Sequence, residues 1–160
     1  MSARVQGMKT RLGFTLIEIL LAIGIIAVLA TVVVVSLDPI SRFRDARDAR
    51  RLSDIQSILS AVHQYVIDNQ GAFPAGLDTT ERQIGTASSS CSISGECAVS
   101  GDGDCVDLSS TLARYLKDIP YDPSNGSAAR SHYSISLNAN NIVTVTACDS
   151  DDASIAEVSR

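Results

Sequence analysis

The 160-residue chain has no tryptophan, and Phe and Tyr together make up only 4% of it. With so little aromatic area to bury, its globular core has to be modest. Basic residues are outnumbered by acidic ones, 13 against 18, for a net charge of −5. That excludes nucleic-acid binding driven by bulk charge. Histidine is scarce, and neither His63 nor His132 stands in a Ser-His-Asp arrangement. No glycine-rich phosphate loop stands out either, so no enzyme chemistry is expected. There is no internal repeat, no acid among the first 13 residues, and no cysteine before Cys91. Between Phe14 and Leu37 there is one ionisable side chain, Glu18.

That 24-residue apolar run is the longest feature of the chain. As a helix it reaches about 36 Å, enough to cross a ~30 Å hydrocarbon core with some tilt. A carboxylate inside such a segment is a functional-site hypothesis by default. The basic leader, with Arg4, Lys9 and Arg11, fits a cytoplasmic N-terminus. A simple anchor with Glu18 facing a neighbouring helix is one assignment. A secretory signal cleaved after Ala30 is another, since Val28-Leu29-Ala30 has small residues at the right places. Signal h-regions, however, run about 7–15 residues and seldom hold an acid.

The stretch Gly13-Phe14-Thr15-Leu16-Ile17-Glu18 resembles the class III signal of type IV pilins and of the pseudopilins of type II secretion. The resemblance implies that prepilin peptidase cuts between Gly13 and Phe14, that the new Phe14 amine is methylated, and that Glu18 is the acid of mature position five. Cleavage would remove three basic residues and no acids, moving the net charge from −5 to −8. The new amine would be buried among packed helices in a filament, and a buried charge needs a partner. Glu18 of an adjacent subunit would supply one and set axial register, as a buried polar residue does in a coiled coil. The implied partners are further copies of the chain, an inner-membrane assembly platform, and membrane lipid before assembly. The implied location is a single-pass membrane protein that becomes an extracytoplasmic filament. Two other roles stay open: a minor tip pilin that binds a ligand, and a secreted, disulfide-stapled binding domain.

Beyond the span, Asp38-Pro39 marks a boundary at which a helix kinks or restarts. Family members often carry a proline slightly earlier, where this chain has Val35 and Ser36. Leu52, Ile55, Ile58, Leu59, Val62, Tyr65 and Val66 recur at helical spacing and predict one buried stripe. Arg42, Arg44, Asp45, Arg47, Asp48, Arg50, Arg51 and Asp54 are expected to form a solvated face, with Arg44–Asp48 and Arg50–Asp54 as pairs four apart. The same band is a candidate contact for lipid headgroups and then for neighbouring subunits. Gly24 would permit close helix approach or simply face lipid. Asn69-Gln70-Gly71 with Pro74 predicts the helix stop, and Asp68 to Pro74 resembles the close of the long helix in many pilins.

Residues 75–107 are dominated by Gly, Ser, Thr and Asp and are expected to be a long loop. Leu108, Leu112, Tyr115, Leu116 and Ile119 predict a short amphipathic helix, capped by Asp107 and stopped by Pro120. Tyr133, Ile135 and Leu137, then Val143, Val145 and Ala147, alternate as two strands joined through residues 138–141. Lys117 to Pro123, followed by Tyr133, resembles the entry to the sheet in major pseudopilins, with Ser124 where those usually have an aromatic. Four cysteines allow three pairings; Cys91–Cys97 with Cys105–Cys148 is the preferred pattern, in an oxidising compartment. No cofactor is expected, with one candidate exception. Asp102, Asp104 and Asp107, or Asp149, Asp151 and Asp152, supply oxygen ligands of the kind calcium takes, and major pseudopilins commonly bind calcium near their sheet.

The expected fold is therefore α+β and pilin-like. A long N-terminal helix, transmembrane and then amphipathic, packs on a short helix and a small antiparallel sheet. The expected segments are a leader over 1–13, a transmembrane helix over 14–37, the amphipathic half over 38–74, and a globular part over 75–160.

Overall fold

The computed structural model describes residues 13–36, 38–93, 96–97, 99, 105–152 and 156–160. The chain divides between Ile40 and Ser41 into two units. The basic leader lies outside the described residues apart from Gly13.

In the first unit, α1 spans Leu16–Ser36. Thr15 caps it: the Glu18 N–H donates to Thr15 Oγ1 at 3.3 Å. The Thr31 and Ser36 hydroxyls donate to the carbonyls of Ala27 and Val32, so they leave no unpaired polar group on an apolar helix. Its large apolar side chains are all exposed, from Ile19 at 50% to Leu16 at 77%.

The second unit opens with α2, Pro39–Asp68, apart from its first two residues. Proline fits a first helical position, where its missing N–H would have no partner anyway. It also bars Asp38 from the right-handed helical region, and Asp38 sits at φ +37°. At the other end the Gly71 N–H donates to the Val66 carbonyl at 2.8 Å. The left-handed residue required by that cap is Gln70 (φ +59°), one place before the expected glycine.

A four-stranded antiparallel sheet packs on α2 in the order β1 (Arg82–Gln83), β2 (Tyr133–Leu137), β3 (Val143–Ala147), β4 (Glu157–Ser159). The β2–β3 hairpin is the one expected, with Leu137 opposite Val143. Its turn closes on Asn138, whose Oδ1 accepts the N–H groups of Asn140 and Ile142. β1 and β4 were not expected: one is two residues long and the other three, too short to show an alternating pattern. The core joins Ile55, Ile58 and Val62 of α2 to Tyr133, Ile135, Val143 and Val145 of the sheet.

The region 108–119 departs from the expected short helix. It forms successive turns, with Leu112 and Leu116 donating to the carbonyls of Leu108 and Leu112. Leu108 and Leu112 are buried as the spacing required. Asp107 Oδ1 binds both the N–H and the hydroxyl of Ser109, a local turn that competes with helix initiation.

Candidate functional site

The cysteine pairing is the clearest correction. The bonds are Cys91–Cys105 and Cys97–Cys148, not Cys91–Cys97 with Cys105–Cys148. The cause is a non-local chain pairing. Ile84 bridges Val106, and the Cys105 N–H donates to the Ala87 carbonyl. This lays the segment before Cys91 alongside Cys105 and brings their Cα atoms to 5.3 Å. Gly85 allows the neighbouring approach, since a Cβ there would strike the Ala129 carbonyl. Cys97 instead lies against the sheet, with Sγ 3.0 Å from Ser134 Oγ, and meets Cys148 just past β3. Closing loops with sequence separations of 14 and 51 residues stabilises the fold by about 3 and 4 kcal/mol in the chain-entropy account.

Asp48 and Arg51 are not on a solvated face. They are 4% and 2% exposed and continue the stripe of Ile55 and Ile58 one turn toward the N-terminus of α2. Arg51 donates to Asp122 at 2.6 Å, to Asp48 at 2.7 Å and to Asp151 at 3.3 Å. Asp48 in turn accepts the backbone N–H groups of Asp151 and Asp152, and therefore does not pair with Arg44. The expected Arg50–Asp54 pair is present, at 3.7 Å. Burial alone would lower the Arg51 pKa, but its bonds to Asp122 and Asp48 prevail and raise it. Burial likewise acts to raise Asp122, yet the Arg51 bond and the N–H groups of Asn125 and Ser124 hold it below the usual carboxylate range. Arg47, then Arg51, do the same for Asp151. The Tyr133 hydroxyl donates to Asp54 at 2.9 Å, and burial followed by that bond pushes its pKa up. The buried cluster escaped sequence reasoning because charge normally signals exposure. The signal was there in the spacing, since 48, 51, 55 and 58 share one helical face.

Among the described calcium candidates, Asp107, Asp149 and Asp151 bind other protein groups. Asp102 and Asp104 lie outside the described residues. Asp107 is exposed and occupied by Ser109. Asp149 binds His132 Nδ1 and Asn125, and Asp151 pairs with Arg47 and Arg51. The described residues hold no group of three or more His, Cys, Asp and Glu arranged for a metal.

At the N-terminal stretch, Phe14 is 78% exposed and Glu18 stands in the first turn of α1. Thr15 and Glu18 have the spacing of a capping box, in which the acid folds back onto the cap. Only half of that box forms: the Glu18 N–H is bound, while its carboxylate makes no hydrogen bond or ion pair among the described residues. A carboxylate at the edge of an uncovered apolar helix can neutralise a cation brought to it from outside the helix.

A family model, the prokaryotic N-terminal methylation motif, covers residues 8–34. No curated protein and no solved structure matches the chain.

Proposed function

From a chain that carries the prepilin signature of type IV pilins and type II secretion pseudopilins, we infer a structural subunit of an extracytoplasmic helical filament. Prepilin peptidase cuts before Phe14, and α1 holds the subunit in the membrane until an inner-membrane assembly platform draws it into the filament. The Phe14 amine made by the cut then meets Glu18 of the neighbouring copy. In this role the chain does no chemistry of its own; cleavage and methylation are done to it. One observation carries the proposal: the carboxylate of Glu18, the lone acid of an apolar helix, makes no hydrogen bond or ion pair among the described residues, beside the Gly13–Phe14 junction.

Mass spectrometry of the mature N-terminus tests this. The expected product starts with methylated Phe14, and Gly13→Leu should leave the leader attached. A mature chain starting at Thr31 would mean an ordinary secretory signal and would overturn the filament role.

A further inference from the structure

Charge is unevenly spread along the chain after the span. Residues 39–51 hold five arginines and two aspartates, while residues 52–160 hold five basic and fourteen acidic residues. The structure divides those five arginines by task. Arg51 is buried against Asp48 and Asp122, and Arg47 is paired with Asp151. Arg50 keeps 63% of its side chain exposed beside Asp54. Arg42 and Arg44 are exposed and form no ion pair or hydrogen bond among the described residues. Between them stands Phe43, 68% exposed, with Ile40 three residues before it at 65%. An aromatic and an aliphatic side chain are thus exposed beside two guanidinium groups that have no acid partner among the described residues.

We infer that this arginine collar, Arg42, Arg44 and Arg50 around Phe43, is a docking surface for the anionic headgroups of the bilayer that α1 spans. The inference rests on α1 being a membrane span, the first half of the proposed function. Chain length alone keeps the collar near the surface. Pro39 comes three positions after Ser36, and Arg44 five positions after Pro39. Even a fully extended link puts Arg44 within about 18 Å of the end of the span. The headgroup layer fills about 5–8 Å of that distance, and a long arginine side chain covers part of the rest. Anionic lipid attracts juxtamembrane arginines within a Debye length of the surface. Aromatic rings settle at the same depth. Each arginine should strengthen the contact about fivefold, so reversing three should weaken it by a factor on the order of a hundred or more.

The absence of tryptophan supplies the probe. The full chain carrying Phe43→Trp is reconstituted in vesicles of phosphatidylcholine alone, or with one quarter phosphatidylglycerol, and acrylamide quenching is measured. The expected result is protection of the probe in the anionic vesicles only, lost in 0.5 M salt and in the Arg42→Glu/Arg44→Glu/Arg50→Glu variant. Equal quenching in both vesicles would overturn the collar in favour of a solvated face. Protection in both that rises with the protein-to-lipid ratio would overturn it in favour of a second copy. A separate Ile25→Trp chain reports on the span through lipids brominated deep in the acyl chains. Its failure to be quenched would overturn the span, and the collar with it.

Discussion

α1 and the buried end of α2 both carry charge on helical faces with apolar neighbours, and they treat it in opposite ways. Arg51 is enclosed by Asp48, Asp122 and Asp151, contributed by α2, a turn and the segment after β3. Glu18 has a capped N–H, and its carboxylate has no partner among the described residues. The same contrast holds for apolar area: the stripe of α2 is covered by the sheet, and that of α1 by none of the described residues of its own unit. Charge that is complete within the chain belongs to folding. Under the proposed function, charge left incomplete on an uncovered helix serves association with another copy.

The largest expected effects test that division directly. Glu18→Ala should leave folding of the second unit and membrane insertion intact, because the carboxylate makes no hydrogen bond or ion pair among the described residues. Assembly should weaken by about 3–5 kcal/mol, a factor of a few hundred to a few thousand in association, since a buried amine is left unpaired. The phenotype is processed, membrane-resident subunit with few or no filaments. Normal filament yield would break the contrast at its first term. Arg51→Ala should do the reverse, costing about 3–5 kcal/mol of folding stability by leaving Asp48 and Asp122 buried without their cation. Denaturant titration of the purified variant measures it, and a loss below about 1 kcal/mol would show that the cluster is not enclosed.

Next in size come the disulfides. Replacing Cys97 and Cys148 together by serine should cost about 4 kcal/mol, and Cys91 with Cys105 about 3, in thermal or denaturant melts. Peptide mapping without reductant should recover the crossed pairs. A Cys91–Cys97 peptide would refute the pairing of residues 84–87 with residues 105–106.

Acid should act through the same cluster, more gently. The Asp122 and Asp151 carboxyls are held below their ordinary values. The unfolded chain therefore binds protons first as pH falls. The stabilisation is fully present above the ordinary carboxylate pKa of about 3.9 and is lost as pH drops through the lower folded-state values. Melting temperature against pH should fall more steeply below about pH 4 in the native chain than in Arg51→Met. Parallel curves would argue against the coupling. The smallest expected effect is at the end of α2. Gln70→Gly should gain a few tenths to about 1 kcal/mol, because a left-handed backbone is relieved at some entropic cost. A loss would mean that the Gln70 side chain makes a contact that matters.

Local pattern sufficed for most of what a turn or two of chain can encode, though not for residues 108–119, where the spacing predicts a helix and the chain forms turns. The apolar span and its motif are contiguous. The stripe from Leu52 to Val66 and the β2–β3 hairpin are periodic, and each recurs in the structure where its spacing placed it. What needed the tertiary structure is what links distant residues. Arg51 meets Asp122 across 71 positions and Asp151 across 100. Cys97 meets Cys148 across 51, and β1 and β4 exist only as additions to a hairpin already formed. Composition makes an arginine look like surface and neighbouring cysteines look like a pair. The packing of the sheet and of residues 105–106 against the chain decided otherwise, because a partner's identity depends on where the backbone returns, which no local pattern records.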